Sequence, residues 1–397
     1  MLSTMPKYGL CCAGTAGVLL LLTLSSAPGA KAQMPQRAPT PNDTLKSPEV
    51  LPDSRVVFRI YAPKATEITI GGDFLPAGPN PKLEKDEQGV WSFTAGPLAP
   101  DFYSYSLTVD GVHTLDPKNA SVKQGINSLD NMFEVPGADA AFEALQAVPH
   151  GDIRTVWFPS AVLETQRSMR VYTPPGYDSG KARYPVLYLL HGGGDDDSGW
   201  PTIGRAGFIL DNLLAQNKIK PMIVVMPNGS LPRPPAAPGA APAPGPFVDR
   251  FSDHLMKDII PYVEKNFRVA AGREQRAIAG LSMGGMQTLA VVMAHPDQFA
   301  YVGVFSSGIA SFRQNTNAVE EFEQRYQKTL DDKESFNKGV KLFWFSIGAK
   351  DFLHKANDDA MDVMKRHGIR FTSNESEGGH TWINWRHYLN QFAPMLF

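Results

Sequence analysis

Two textures of hydrophobic patterning divide the chain. From Arg55 to Val109 apolar and polar residues alternate in short runs: Val57-Phe58-Arg59-Ile60-Tyr61, Glu67-Ile68-Thr69-Ile70, Val90-Trp91-Ser92-Phe93 and 102–109. A period of two, interrupted by Gly, Pro and Asp, predicts short antiparallel strands of a sandwich. Asp110-Gly111, set between Val109 and Val112, is a hairpin-turn signal. Beyond about residue 150 the texture changes. Two strands are predicted at 153–158 and 168–173, and then 185–191, 222–226, 276–281, 301–306 and 342–347 follow as largely apolar runs, with a last strand at 369–374. Runs of that kind suit strands covered on both faces of a largely parallel sheet. Helical spacing fills the intervals at 207–216, 249–266, 284–295, from Val319, at 354–367 and at 383–391. This alternation predicts a doubly wound, mostly parallel α/β sheet. A smaller all-β immunoglobulin-like sandwich precedes it.

The ends and joints of these textures give the expected domain limits. Lys7, the apolar stretch 18–24 and Ala30-Lys31-Ala32 have the order of a cleavable signal peptide over 1–32, so the protein is expected to be secreted or periplasmic. That stretch is too short to span a bilayer, and Cys11 and Cys12 precede it, whereas a lipoprotein cysteine would follow it, so no membrane anchor is expected. Both cysteines leave with the leader, which removes disulfides, thiol chemistry and cysteine metal sites from consideration. Residues 33–52, rich in Pro, Thr, Ser and Gln, read as a flexible linker. The sandwich is placed at 53–136 and the α/β domain at 150–397. Between Asn228 and Phe247 a proline-rich stretch, 231–246, can be neither helix nor central strand; it is either a rim or lid over the strand ends or a surface insertion.

With 397 residues, 43% hydrophobic and 20% charged, the chain has enough apolar material for two cores. A formal net charge of -2, without a basic block, gives no reason to expect nucleic acid or an anionic membrane as partner. Nothing in the composition specifies an oligomeric state.

The chemistry centres on Gly280-Leu281-Ser282-Met283-Gly284-Gly285, between a predicted strand and a predicted helix. That context is what a G-x-S-x-G nucleophile elbow requires, the flanking glycines leaving the backbone free to bend sharply under Ser282. An α/β-hydrolase places its acid and then its histidine after later strands. Asp351 follows the strand at 342–347, and His380 follows the strand at 369–374. Asp358 and Asp359 fall inside the next helix and are the weaker candidates for the acid. His191-Gly192-Gly193-Gly194 closes the first buried strand, where the N–H groups of Gly193 and Met283 would form an oxyanion hole. His191 itself is read as organising that loop rather than acting as the base. Asp195-Asp196-Asp197 reads as a solvated acidic loop, not a metal site. Trp200 and Trp382 adjoin the oxyanion and histidine loops and either wall an aromatic acyl pocket or pack in the core. Trp91, Tyr103 and Tyr105 likewise either present faces to sugar rings or pack across strands.

Together, Leu190-His191-Gly192-Gly193-Gly194, the elbow, Gly348-Ala349-Lys350-Asp351 and Gly379-His380-Thr381-Trp382 resemble the family 1 carbohydrate esterases, the esterase-D-like group. That group includes feruloyl and acetylxylan esterases, with enterochelin esterases and mycolyltransferases as relatives. Arg59-Ile60-Tyr61-Ala62-Pro63 and Gly71-Gly72-Asp73-Phe74 are similar to early-set domains of the family 48 carbohydrate-binding modules. The resemblance implies a triad of Ser282, Asp351 and His380 and a serine carboxylic ester hydrolase without metal or organic cofactor. Feruloyl ester cleavage on arabinoxylan leads among the activities it implies, ahead of acetylxylan, siderophore-ester and acyl-transfer chemistry. Its partner would be plant cell-wall polysaccharide or the feruloylated or acetylated oligosaccharides derived from it. The reading from another class is a non-catalytic carbohydrate-binding protein on the same scaffold.

Overall fold

A computed structural model describes residues 38–76, 78–232, 247–309 and 317–397, with the side chains of 247–249 left out. The expected leader and nearly all of the proline-rich stretch lie outside these residues.

Alternation builds the first domain. Strands β1 (Glu49–Val50), β2 (Val56–Tyr61), β3 (Ile68–Gly72), β4 (Glu84–Lys85), β5 (Val90–Ala95), β6 (Asp101–Val109), β7 (Val112–Thr114), β8 (Val122–Gln124) and β9 (Leu129–Val135) form two antiparallel sheets. One has the order β1-β2-β5-β4 and the other β3-β6-β9-β8, with β7 paired to β6. The inward residues Phe58, Ile60, Tyr103, Tyr105, Leu107 and Phe133 meet in one core. Trp91, Tyr103 and Tyr105 are all buried, so their faces serve packing and are closed to a sugar. Asp110 and Gly111 both have positive φ, 47° and 84°, as a hairpin turn of the mirror-image type needs. The stretch expected to be a linker is ordered where it is described. Residues 49 and 50 pair with β2, and the Ser47 hydroxyl donates to Asp116 Oδ2 at 2.5 Å inside the domain.

In the second domain, among the described residues, eight strands form a single sheet of order β10-β11-β13-β12-β14-β15-β16-β17. They are β10 (Asp152–Ser160), β11 (Thr165–Thr173), β12 (Val186–Leu190), β13 (Ile223–Pro227), β14 (Arg276–Leu281), β15 (Tyr301–Phe305), β16 (Leu342–Gly348) and β17 (Thr372–Ser376). The pairs β10–β11 and β11–β13 are antiparallel and the rest parallel. The helices are α1 (Ala206–Ala215), α2 (Phe247–His254), α3 (Ile260–Asn266), α4 (Met283–Ala294), α5 (Ala318–Asp331), α6 (Lys333–Gly339), α7 (His354–Arg366) and α8 (Trp382–Phe392). Every residue of β12, β13 and β15 is buried, because helices cover both faces of the sheet. Two departures from the sequence reading have local causes. The helix expected over 249–266 contains a π turn, Leu255–Ile259, where the Asp258 carboxylate accepts from the Ser160 hydroxyl and the Ala161 and Val162 N–H groups. The last strand starts three residues late because Ile369 is buried in the core and Arg370 is held by Asn337.

The domains share a buried polar joint. Arg386 of α8 is completely buried and pairs with Asp101 of β6 and with Glu143 of the connecting segment, while donating to the carbonyls of Phe102 and Ile203. Removing one partner of such a pair typically costs about 3–5 kcal/mol, since it strands an uncompensated charge. Among the described residues no helix is long and apolar enough to cross a membrane.

Candidate active site

The site lies where the parallel strands end. β14 runs out at Leu281, and the next residue, Ser282, has φ 52° and ψ -116°, a conformation costly for a residue with a side chain. It is held there from several sides. The Ser282 N–H donates to Phe305 O at 2.9 Å, and its carbonyl accepts from Met286 N–H at 3.0 Å and from the Ser307 hydroxyl at 2.8 Å. The turn is tight enough that a Cβ on Gly284 would stand 2.6 Å from His191 O.

Two loops from neighbouring strands complete the arrangement. Asp351 follows β16 and His380 follows β17, and the structure brings both to Ser282. The Ser282 Oγ lies 2.9 Å from His380 Nε2, and His380 Nδ1 lies 2.9 and 3.0 Å from the two carboxylate oxygens of Asp351. Since Nδ1–H can donate only to the carboxylate, Nε2 is left to accept the hydroxyl proton. Burial by itself would raise the pKa of Asp351, but the bond from His380, the Leu353 N–H, the charge of His380 and the Ser306 hydroxyl outweigh it. The carboxyl is held below its ordinary value and stays ionised. Asp358 and Asp359 are engaged elsewhere, with His354 and Lys355.

The loop after β12 passes close to the nucleophile, where a Cβ on Gly192 would meet Ser282 Cβ at 3.3 Å. Gly193 is exposed, with nothing within 4 Å of its Cβ position. Met283 is the first residue of α4, so its N–H is one that helix geometry leaves without an internal partner. His191 is buried and bridges the loop: Nδ1 donates to Gly192 O at 2.8 Å, and Nε2 accepts from Gly229 N–H at 2.9 Å. Burial lowers its basicity, which suits a neutral bridging imidazole.

Three features differ from the sequence reading or go beyond it. Asp195 and Asp197 are not solvated. Both are buried and ion-paired, Asp195 with Lys123 at 2.8 Å and Asp197 with Arg170 at 3.3 Å. Trp200 and Trp382, 1% and 5% exposed, pack edge to face in the core, and the Trp200 indole N–H donates to Leu190 O at 3.0 Å, so neither offers a face to a ligand. Phe352, in contrast, is 74% exposed, and its ring lies 4.4 Å from that of His380. An aromatic residue directly after the candidate acid was the available signal, and sequence reasoning passed over it.

The Esterase family model matches residues 160–396, well over half of the chain and all of the residues just described except Lys123. The chain belongs to the esterase family. A second family model, carbohydrate-binding module 48 (isoamylase N-terminal domain), matches residues 46–120. The chain is 34% identical over 348 residues to an endo-1,4-beta-xylanase/feruloyl esterase of Xylanibacter ruminicola, covering 86% of this chain and 44% of that protein. It thus spans less than half the length of this curated relative. Among solved structures, a ferulic acid esterase of Anaeromyces mucronatus, determined with ferulic acid, aligns with TM-score 0.53 and 25% identity over 64% of this chain and 94% of that one. The enterobactin esterase of Shigella flexneri aligns with TM-score 0.64 over 86% of this chain and 92% of its own, at 16% identity, a likeness of fold. The expected resemblance to the esterase-D-like carbohydrate esterases, with a module-48-like domain in front, and the expected fold class are both met.

Proposed function

We propose that the esterase is a secreted serine hydrolase that releases feruloyl or related hydroxycinnamoyl groups from arabinoxylan. The observation that carries the serine mechanism is the unbroken hydrogen-bond chain from Asp351 through His380 to Ser282, with the Gly193 and Met283 N–H groups taken as the oxyanion donors. Ser282 Oγ attacks the ester carbonyl carbon while His380 Nε2 takes its proton. The carbonyl π pair moves onto the oxygen, which faces the two N–H groups, each such donor being worth roughly 10²–10³ in rate. The tetrahedral intermediate collapses, the bond to the alkoxide breaks and His380 returns the proton to it, leaving an acyl group on Ser282. Water repeats the cycle and releases the acid. Asp351 fixes the tautomer of His380 and stabilises its charged form. These steps use no metal or organic cofactor.

The substrate assignment draws on the feruloyl esterase relatives, on the module-48 match and on the exposed Phe352 ring beside His380. The domain limits that go with it are 53–136 for the module-like domain, extended at its start by Ser47 and β1, and 150–397 for the hydrolase domain. The test is a set of initial rates on methyl ferulate, acetylated xylan, a short aliphatic ester and a catechol siderophore ester, with Ser282→Ala alongside. We expect the highest kcat/KM on the ferulate and a loss on the order of 10⁶ in turnover for Ser282→Ala. A variant that keeps activity within tenfold of the parent would falsify the serine mechanism, and preference for another ester would reassign the substrate.

A further inference from the structure

The oxyanion loop is held at its exit by the other domain. Lys123, on β8, places its Nζ 2.8 Å from Asp195 Oδ1, with the two side chains 15% and 7% exposed. The turn beyond it is closed by a bond from Gly125 N–H to Ser128 O at 2.9 Å, and from it Ile126 N–H donates to Gly194 O, also at 2.9 Å. The approach is close enough that a Cβ on Gly125 would stand 2.6 Å from Gly194 O. Gly194 and Asp195 directly follow Gly193. On the hydrolase side the loop has its own anchors, the His191 bridge to Gly229 and a bond from the Ser230 hydroxyl to Asp195 O at 3.3 Å.

Three successive glycines make an intrinsically loose loop, since glycine loses the most conformational freedom on ordering and fixing each residue costs roughly 1–2 kcal/mol. An oxyanion donor helps only if it is already aimed when charge develops. His191 fixes the entrance to the loop, but Gly193 and Gly194 are exposed and lack side chains with which to fix themselves. The contacts from β8 and its turn supply the second fixed point, and because the Lys123–Asp195 pair is largely withdrawn from water it is little screened by salt.

We propose that β8 and the 125–128 turn of the N-terminal domain are a positioning element for the oxyanion loop, with Lys123 as the positioning residue acting through Asp195. The module-like domain is then part of the esterase's catalytic unit, whatever it binds. The inference rests on the reading of Gly193 as an oxyanion donor.

The experiment uses the full chain and methyl ferulate, a substrate without sugar, so that loss of polysaccharide binding cannot account for the result. Lys123→Met is expected to lower kcat on the order of 10- to 100-fold, the scale of a misplaced catalytic group, while KM stays within about twofold. Lys123→Arg should recover most of the rate. Thermal midpoints report folding, and if Lys123→Met does not fold, Asp195→Asn, which keeps its shape while losing the charge, takes its place with the same expectation. A folded variant with kcat within twofold of the parent, or a loss that appears in KM instead, overturns the proposal. A rate insensitive to Ser282→Ala would instead overturn the site reading and the clamp with it, whereas Ser282 dependence with an unaffected Lys123→Met removes the clamp alone.

Discussion

Phe352 shows what a single side chain can contribute at the rim of this site. Its ring is tilted 47° against His380 and is largely open to solvent, while Trp385 meets the imidazole edge to face at 5.0 Å. The histidine thus touches one buried aromatic ring, Trp385, and one largely exposed ring, Phe352. A hydroxycinnamoyl ring lying there would gain about 0.5–1.5 kcal/mol from the aromatic contact, whereas a short aliphatic acyl chain would gain little. Phe352→Ala should therefore lower kcat/KM on methyl ferulate about three- to tenfold and leave the aliphatic ester nearly unchanged. Equal losses on the two esters would mean that Phe352 acts on His380 and not on the acyl group. Stability should barely move, as expected for an exposed position. At this scale the sequence was informative about residues that follow strand ends, because chain order alone groups Ser282, Asp351 and His380. It was misleading where a partner comes from far away. Asp195 looks like one of three solvated carboxylates until Lys123, more than seventy positions earlier, is placed beside it. For Trp200 and Trp382 the sequence leaves pocket wall and core packing open, and their mutual edge-to-face packing decides for the core.

Among the elements, the strands of the hydrolase sheet were legible because burial on both faces leaves a continuous apolar run, and α4 because it starts directly at the elbow. β8 and β9 were not. Val122-Lys123-Gln124 is too short for a period of two to be seen, and in β9 three consecutive buried residues, 131–133, break the alternation. The junction of β14, α4 and the oxyanion loop yields a prediction of its own, because two of its glycines have opposite surroundings. A Cβ on Gly284 would meet Leu190 Cβ at 2.7 Å as well as His191 O, so Gly284→Ala must push α4 away from β12. We expect it to cost about 1–3 kcal/mol, the usual range for overpacking, and to lower kcat as the elbow and the loop separate. Gly193→Ala meets nothing within 4 Å and should melt with the parent protein. Denaturant unfolding of the two variants under one set of conditions tests the contrast, and equal stabilities would show that the helix moves without resistance.

The molecule as a whole is joined through Arg386, and that joint should respond to pH. Burial raises the Glu143 carboxyl to about 8; Arg386 and Arg205 oppose the shift, and Asp101 adds to it. In the unfolded chain the same group titrates near its ordinary 4.5. Between those values the folded protein holds a proton that the unfolded chain has lost, so stability falls as pH rises through the window. His387, packed nearby, works in the opposite sense, as do the buried His191 and His254. Desolvation lowers all three, so unfolding takes up protons below their ordinary 6.5 and stability there rises with pH. The two effects separate above neutrality, where the histidines are uncharged in both states and Glu143 still titrates. Calorimetric melts from pH 7 to 8.5 at constant ionic strength should show the midpoint of the parent falling with pH. Glu143→Gln keeps the shape without the titration and should show a flatter dependence. If parent and variant lose stability in parallel, the proton is not held at Glu143, and its carboxylate shares with Asp101 in balancing the charge on Arg386. A steeper fall in the parent would make this joint between the domains weaken as the medium becomes alkaline. The oxyanion-loop clamp, which depends on the same docking, should then loosen over the same interval, visible as a drop in kcat that Glu143→Gln removes.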